Sequence, residues 1–224
     1  MDRSSATGAA PVTSSERIGE MDGVRYIDFI VPGLILMAVI TNSYSNVVSS
    51  FFSARFQKHV EELLVSPVPN YIILLGYVAG GVTRGLMVGL IVTVLALFFT
   101  SLTVHSLTVT ISVVVLTSLL FSLCGFINAV FAENFDDISI IPTFVLTPLI
   151  YLGGVFYSMD LLPDFWAGVS KLNPLVYVVN AFRYGVLGVS DVSLGFAFGM
   201  IALFTVIAFT YCMHLLNSGK RLRQ

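Results

Sequence analysis

The chain has 224 residues, of which 56% are hydrophobic and only 11% are charged, with a formal net charge of −2. A soluble domain carries about 25% charged residues and a nucleic-acid-binding domain is usually basic, so this composition argues against both classes. The apolar residues fall in long runs, which is typical of a polytopic membrane protein. Cys124 and Cys212 lie inside those runs, and we expect no disulfide framework.

The N-terminal segment has a different composition. Residues 1–26 are polar and rich in Ser, Ala and Gly, and they lack the apolar core of a cleavable signal peptide. We therefore expect a polar N-terminal tail over residues 1–26, with the first spanning helix acting as the targeting signal.

The apolar runs predict the fold class. A spanning helix needs roughly 20 apolar residues, because the hydrocarbon core of a bilayer is about 30 Å thick. Five segments meet this requirement, at approximately residues 29–52, 71–102, 107–131, 140–157 and 194–216. The sequence thus predicts an all-α transmembrane helical bundle with five spans.

The second segment is too long for one span and contains Arg84. Both features are accommodated if Tyr71–Thr83 lies at the cytosolic boundary and the helix bends at Gly76, Gly80 or Gly81. Arg84 is then either a snorkelling anchor at the interface or a contact for a substrate or lipid phosphate.

Residues 158–193 predict a re-entrant helical hairpin on the extracytoplasmic side. Their most apolar part, Leu175–Leu187, is short for a span, and segments of this length are commonly re-entrant or interfacial. Pro163 and Pro174 suit first helical positions, and Asn173 suits an N-cap. A surface loop that never enters the membrane is the alternative.

The C-terminal tail indicates the orientation. Residues 218–224 carry Lys220, Arg221 and Arg223 directly after the last span, and basic residues flank spans preferentially on the cytoplasmic side. Five spans then place the N-terminus outside, and they place the loops at residues 53–70 and 132–139 inside.

The first of these inner loops contains an amphipathic pattern. Phe56, Val60, Leu63 and Leu64 recur at helical spacing and share one face, and Ser66-Pro67 ends the pattern. Such a helix either docks into a groove of a partner protein or lies on the membrane surface.

Gly81, Gly85 and Gly89 form a ladder at four-residue spacing in the second segment. Small residues at this spacing let the backbones of two helices approach closely in a membrane. The ladder predicts helix packing, either within one subunit or between two subunits of a dimer.

Several kinds of chemistry have no candidate residues. The sequence contains no Gly-rich phosphate loop followed by Lys-Ser or Lys-Thr, and His59, His105 and His214 are too far apart for a metal site. No paired carboxylates occur within the apolar runs, where a proton relay would need them. We expect neither a catalytic residue nor a metal, and we expect the energy for any transport to come from another chain.

Motifs in the second half of the chain resemble those of one transporter family. Residues 153–157 (Gly-Gly-Val-Phe-Tyr) are followed by residues 162–166 (Leu-Pro-Asp-Phe-Trp), by residues 172–174 (Leu-Asn-Pro), and then by Arg183. This succession resembles the extracytoplasmic hairpin of ABC type-2 transporter permeases. Residues 61–68 (Glu-Glu-Leu-Leu-Val-Ser-Pro-Val) look like the cytosolic coupling region of the same family.

The resemblance implies a permease subunit of an ATP-driven exporter in the bacterial inner membrane, for a hydrophobic or amphipathic substrate. It implies a homodimer in contact with membrane lipids and paired with a separate ABC ATPase subunit, which would hold ATP and Mg; nucleic acid is not an expected partner. Residues 27–217 would form the transmembrane domain, followed by the basic cytoplasmic tail. The implied ATPase contacts are Phe56, Glu61, Glu62 and Leu64, and the implied hairpin residues are Pro163, Trp166, Asn173, Pro174 and Arg183.

The family usually has six spans preceded by an interfacial helix, whereas this sequence predicts five. We therefore expect the first span to be missing, either through a truncated start or in a genuine short form. Two alternatives to the exporter remain at this point: an ion-coupled carrier, and a non-transporting membrane protein such as an inactive truncated permease.

Overall fold

The fold is a bundle of helices, and the computed structural model describes residues 20–21, 24–100, 104–156, 168, 170 and 173–218. Two short strands, β1 (Glu20–Met21) and β2 (Val24–Arg25), pair antiparallel just before the first helix. The helices are α1 (Tyr26–Phe56), α2 (His59–Val65), α3 (Asn70–Ala96), α4 (Leu107–Phe131), α5 (Asp137–Ile141), α6 (Thr147–Leu152), α7 (Pro174–Leu187) and α8 (Leu194–Ser218).

Four of these helices, α1, α3, α4 and α8, are long and apolar enough to cross a membrane. Their 25 to 31 residues correspond to about 38–46 Å at about 1.5 Å per residue, which exceeds the thickness of the hydrocarbon core. The third predicted span, residues 107–131, has the same bounds as α4. The helical fold class is confirmed for the described residues apart from the short β1–β2 pair.

The predicted span at residues 140–157 is shorter and interrupted. Residues 137–152 form α5, a π-helical segment (Pro142–Leu146) and α6, and Tyr157 lies outside the described residues. At Thr147 the backbone N–H donates to the carbonyl of Pro142, five residues earlier, and Pro148 has no N–H to continue a regular ladder. These 16 residues rise only about 24 Å, so the described residues contain four full-length candidate spans where the sequence predicted five.

α3 has no break before Arg84, where the sequence predicted that the helix would bend. α3 is one continuous helix of 27 residues from Asn70 to Ala96, and Gly76, Gly80 and Gly81 are all within it. Its length of about 40 Å fits a bilayer when the interfacial headgroup regions are included, so no break is needed. Arg84 consequently lies near the middle of a spanning helix instead of at its start.

α1 is the central helix, and small residues bring α3 and α4 against it. Gly81 and Gly85 of α3 are buried, and a methyl group would collide with Val47 and Ser122 at Gly81 and with Ser43 at Gly85. Gly89 faces Val39 in the same way, and Gly125 of α4 lies against the main chain of Tyr44. The predicted ladder thus lies at the α1–α3–α4 contact within one chain.

The two ends of the bundle are defined by contacts between helix termini. At the basal end, where α1, α4 and α8 end and α3 begins, the side chain of Asn70 donates to Asn217 at 2.8 Å. At the distal end, where α4 and α8 begin, the backbone of Ser106 donates to the carbonyl of Gly185 near the end of α7 at 2.8 Å. α8 ends at Ser218 at the basal end, and the sequence predicts that the tail after it is cytoplasmic.

α7 occupies the distal part of the bundle. Its first residue, Pro174, lines a cavity of about 230 Å³ beside the middle of α4 and of α8, and its last turn lies at the distal end of α4. Asn173 is the N-cap of α7, accepting from the backbone N–H of Leu175, and Gly188 ends the helix with a φ of 77° that favours glycine.

Substitution of Gly81 tests this packing. A Cβ at Gly81 would lie 2.5 Å from a methyl group of Val47 and 3.0 Å from the carbonyl oxygen of Ser43, whereas a Cβ at Gly76 would meet nothing within 4 Å. We expect Gly81→Ala to destabilise the purified protein by about 1–3 kcal/mol through overpacking, and Gly76→Ala to be neutral or mildly stabilising. Thermal melting in detergent measures both variants, and equal melting temperatures would contradict the packing.

Candidate functional site

The strongest candidate site is the basal corner, formed where the α1–α2 turn meets the loop after α4. α1 ends at Phe56, and Lys58 adopts a left-handed conformation with φ 63° before α2 begins at His59. The predicted amphipathic helix over residues 54–65 is therefore wrong as one helix, because a left-handed residue interrupts the i to i+4 hydrogen bonds. Phe56 belongs to α1, and only the residues from His59 onward belong to α2.

Arg55 joins α1 to α4 at this corner. One guanidinium nitrogen, Nη1, donates to the carbonyl oxygens of Ala129 at 3.0 Å and Val130 at 2.6 Å, and Nη2 donates to Ala132 at 2.7 Å. The last carbonyls of a helix have no partners within the helix, and a cation there also complements the helix dipole. Arg55 thus caps α4 and holds the two helix ends in a fixed relation.

Three phenylalanines form an aromatic cluster next to Arg55. The ring of Phe52 is buried and lies 4.9 Å from the ring of Phe135, which in turn lies 5.3 Å from that of Phe56. Phe56 is 66% exposed and Phe135 is 54% exposed. Two large apolar rings, one from the end of α1 and one from the loop after α4, therefore stand together at the surface of the basal end and pack against Phe52.

A cavity of about 250 Å³ opens beside the cluster and carries charge of both signs. It is lined by Phe52, Arg55, Phe56, Lys58 and Glu133. Asp137 shapes its acidic side, because one carboxylate oxygen accepts from the backbone N–H groups of Glu133 at 2.8 Å and Asn134 at 3.1 Å. Exposed rings beside a mixed-charge concavity are suited to receiving a protein segment.

α2 extends this surface. Val60 is buried and anchors the helix, while His59, Glu62, Leu63 and Val65 are exposed. Glu61 and Leu64 lie on the described backbone of α2, but their side chains are outside the described residues. The turn after α2 closes with the hydroxyl of Ser66 donating to the carbonyl of Leu63 at 2.7 Å.

The predicted hairpin residues lie at a second place, toward the distal end. Arg183 is 1% exposed, its Nη2 donates to the carbonyl of Gly154 at 2.7 Å, and its guanidinium carbon lies 3.8 Å from the ring centre of Phe29. Asn173 donates to the carbonyl of Leu149 at 2.7 Å. Pro163 and Trp166 lie outside the described residues.

Sequence reasoning missed Arg55 and Phe135 as members of the basal corner. Arg55 was not singled out, since nothing in the sequence shows that it reaches carbonyls about 75 residues away. Phe135 offered one signal, because it is a large apolar residue in an otherwise polar and acidic loop, Glu133 to Asp137.

Comparisons with known proteins agree with the architecture. Residues 4–187 match the ABC-2 type transporter family. The chain is 58% identical over 207 residues to the inner membrane transport permease YadH of Escherichia coli (strain K12), covering 92% of this chain and 81% of that protein. The same identity and coverage hold for YadH of Shigella flexneri. Nodulation protein J of Rhizobium meliloti (strain 1021) is 27% identical over 201 residues, covering 89% of this chain and 77% of that protein.

Substitution of Arg55 tests the cap on α4. Arg55→Met keeps the length and apolar stem of the side chain but leaves the end of α4 without its donors, and we expect a loss of about 2–3 kcal/mol of stability. Arg55→Lys should recover part of this loss, because one ammonium group cannot span all three carbonyls. Thermal melting and limited proteolysis at residues 132–136 are the measurements. A melting temperature for Arg55→Met equal to that of the neighbouring surface variant Lys58→Met would contradict the role of Arg55.

Proposed function

The chain belongs to the ABC-2 type transporter family, and from this we propose that it is the membrane-spanning subunit of an ATP-driven exporter whose basal corner docks a separate ATPase. The protein is a membrane transport subunit of the bacterial inner membrane and not an enzyme. ATP and Mg would be held by the ATPase, and the energy would reach this chain through contact.

The observation that carries the proposal is the exposed pair of rings, Phe56 and Phe135. Exposed aromatic residues above a well-packed support are characteristic of binding hot spots, because they bury a large apolar area without a large loss of side-chain entropy. Phe52 and Arg55 supply that support, since they tie both rings to the ends of two long helices. A push on either ring would therefore act on α1 and α4 together.

The charges beside the rings favour a protein partner over the membrane surface. Glu62 of α2 is exposed and Glu133 lines the cavity, so the corner presents carboxylates as well as Lys58. A helix that only rests on anionic lipid would be expected to carry mainly Lys and Arg on its polar face. Mixed charge around apolar rings instead gives a protein partner both affinity and orientation.

The distal end is the proposed outer mouth. In this topology α1, α4 and α8 run from outside to inside and α3 runs outward, as the predicted cytoplasmic position of the C-terminal tail requires. Residues 137–156 would run outward to the depth of Asn173, and α7 would form the returning half of a re-entrant hairpin. The contact of Asn173 with the carbonyl of Leu149 supports this arrangement, because it joins the end of one segment to the start of the other.

The functional unit would be a homodimer with two ATPase subunits, and the cargo would be hydrophobic or amphipathic. α3 and α8 each present an exposed apolar face along much of their length, which lipid or a second copy could cover. Export, rather than import, follows from the family resemblance of the hairpin motif and is part of the proposal.

Removal of the exposed rings tests the docking corner. We expect Phe56→Ala combined with Phe135→Ala to reduce copurification with the cognate ATPase at least tenfold, because two hot-spot rings of this kind contribute at least about 1.4 kcal/mol. Phe98→Ala is the control, since Phe98 is also an exposed phenylalanine but follows the other end of α3. Tagged permease is coexpressed with the ATPase and solubilised in mild detergent, and ATPase recovery is measured per unit of permease.

The acidic face of α2 gives a second test of the same surface. Glu61→Lys combined with Glu62→Lys should weaken ATPase association several-fold by charge reversal while membrane insertion stays unchanged. Unchanged association in both double variants would overturn the assignment of the basal corner. Absence of copurification for the unaltered chain, in a membrane fraction where it is inserted and folded, would overturn the exporter proposal itself.

A further inference from the structure

The outward face of α1 changes character halfway along the helix. Its distal half is apolar, with Ile27, Leu34 and Met37 at or near the surface. Its basal half is polar at every exposed or half-buried position from residue 41 to residue 50: Thr41, Asn42, Ser45, Asn46, Ser49 and Ser50. A helix face that met only lipid would be apolar along its whole hydrocarbon depth.

Arg84 stands next to this polar face at mid-depth. It is the fifteenth of the 27 residues of α3, about 21 Å from Asn70 and about 18 Å from Ala96. Its side chain is exposed, and Nη1 donates to the side-chain oxygen of Asn46 at 3.4 Å. The four long helices contain three residues of the types Asp, Glu, Lys and Arg. Asp28 and Arg55 lie in the first and last turns of α1, so Arg84 is the one that lies away from a helix end.

Two of the polar side chains bond to the backbone of their own helix, but Arg84 cannot satisfy itself in this way. Ser49 donates to the carbonyl of Ser45 at 2.7 Å and Asn42 donates to that of Ala38 at 2.9 Å, so both bond back to their own helix. A guanidinium has five N–H donors and a permanent charge. One long bond to a neutral amide compensates little of that charge, and an uncompensated charge in the middle of a membrane is costly.

The surface of α3 is open on the basal side of Arg84. Gly80, one turn before Arg84 on the same side of α3, would place a Cβ 3.4 Å from the side-chain nitrogen of Asn46, so Asn46 lies beside Gly80, whereas a Cβ at Gly76 would meet nothing within 4 Å. Two residues without side chains thus lie between Arg84 and the basal end of α3. This strip, with polar groups of α1 on one side, is called the groove between α1 and α3, and it runs from the basal end to Arg84.

A second copy of the described helices would place no carboxylate at the depth of Arg84 in the membrane. The carboxylates in the described part of the chain belong to Glu20, Asp28, Glu61, Glu62, Glu133, Asp136, Asp137 and Asp191, all of them at helix ends, on short helices or in loops. The exposed neighbours of Arg84 toward the distal end are Met87 and Ile91, which suit an apolar chain. An anionic amphiphile matches both features, with its charged group at Arg84 and its apolar part in the adjacent lipid.

We propose that Arg84 and Asn46 form a binding site for the phosphate or carboxylate headgroup of an anionic amphiphile, which enters from the basal leaflet along the groove between α1 and α3. Arg84 supplies the charge and planar donors that suit a phosphate or carboxylate. Asn46 orients the guanidinium of Arg84, and the hydroxyl groups of α1 offer polar contacts along the groove. This site requires no ATPase, so it is independent of the proposed docking corner.

Charge-selective thiol modification of the full chain in lipid nanodiscs tests the site. The variant Ser49→Cys reports on the groove, and the variant Leu34→Cys reports on the apolar half of the same face. Both variants also carry Cys124→Ser and Cys212→Ser, so that the introduced cysteine is the only thiol. In nanodiscs of phosphatidylcholine alone, the modification rate of each reagent is divided by its rate with a free thiol. We expect this relative rate at Ser49→Cys to be roughly tenfold higher for an anionic thiosulfonate than for a cationic one, because Arg84 attracts the anion. Arg84→Gln should abolish this preference, Arg84→Lys should retain it, and Leu34→Cys should stay unreactive.

Protection of Ser49→Cys from modification by added lipid identifies the ligand that occupies the site. We expect phosphatidylglycerol in the nanodisc to slow the modification of Ser49→Cys several-fold when Arg84 is present and not in Arg84→Gln, with inorganic phosphate in phosphatidylcholine nanodiscs giving little effect. Equal protection by inorganic phosphate would show that the site binds a free anion, and it would overturn the assignment of a lipid headgroup as the ligand. If Ser49→Cys does not react, lipid or a second copy covers the face. If it reacts without a preference for the anionic reagent and without protection by phosphatidylglycerol, the groove is water-filled but has no anion site. Either result overturns the proposal.

Discussion

Close approach of α1 to α3 and α4 is the constraint on which the rest of this structure depends. Lipid tails are as apolar as leucine, so helices in a bilayer gain little from the hydrophobic effect and associate through tight van der Waals packing. Gly81 allows α3 to approach the carbonyl of Ser43 in α1, Gly85 makes room for the side chain of Ser43, and Gly125 allows α4 to reach the main chain of α1 at Tyr44. Because α1 is enclosed on these sides, only one of its faces remains for other contacts.

The central position of α1 links the two ends of the bundle. Phe29 near its first turn lies under Arg183 of α7, and Gly33 lies against the main chain of Val155. At its other end Arg55 caps α4 and Phe56 stands at the surface. One helix of 31 residues therefore contacts both the proposed ATPase surface and the proposed outer mouth. A rigid displacement of its basal end must be accommodated at Phe29, since a helix transmits such a displacement along its length.

The sequence predicted the features that depend on local pattern. The bounds of α4 followed from hydrophobic length, and the Asn173–Pro174 start of α7 followed from capping chemistry. Features that depend on contacts between distant residues were missed or wrong. The pattern from Phe56 to Leu64 has helical spacing, yet Lys58 breaks it, because Arg55 is already committed to α4 and Val60 turns inward. The bend expected in α3 rested on the cost of Arg84 in a membrane, yet α3 continues through Arg84 beside a polar face on α1 that spacing within α3 alone does not reveal.

The three arginines of the described helices show three solutions to the same problem of desolvation. Arg55 places its charge on the carbonyls that end α4, where the helix dipole favours a cation. Arg183 is buried, with backbone oxygen at its edge, the ring of Phe29 on its face and the carboxylate of Asp191 at 4.0 Å. Arg84 has neither a helix end nor an ion pair among the described residues, and its hydrogen bond to Asn46 is long. The first two arginines are explained by the fold that they stabilise. For Arg84 the fold supplies a polar approach and open space without a counter-charge, which is the arrangement expected of a residue whose partner is a ligand.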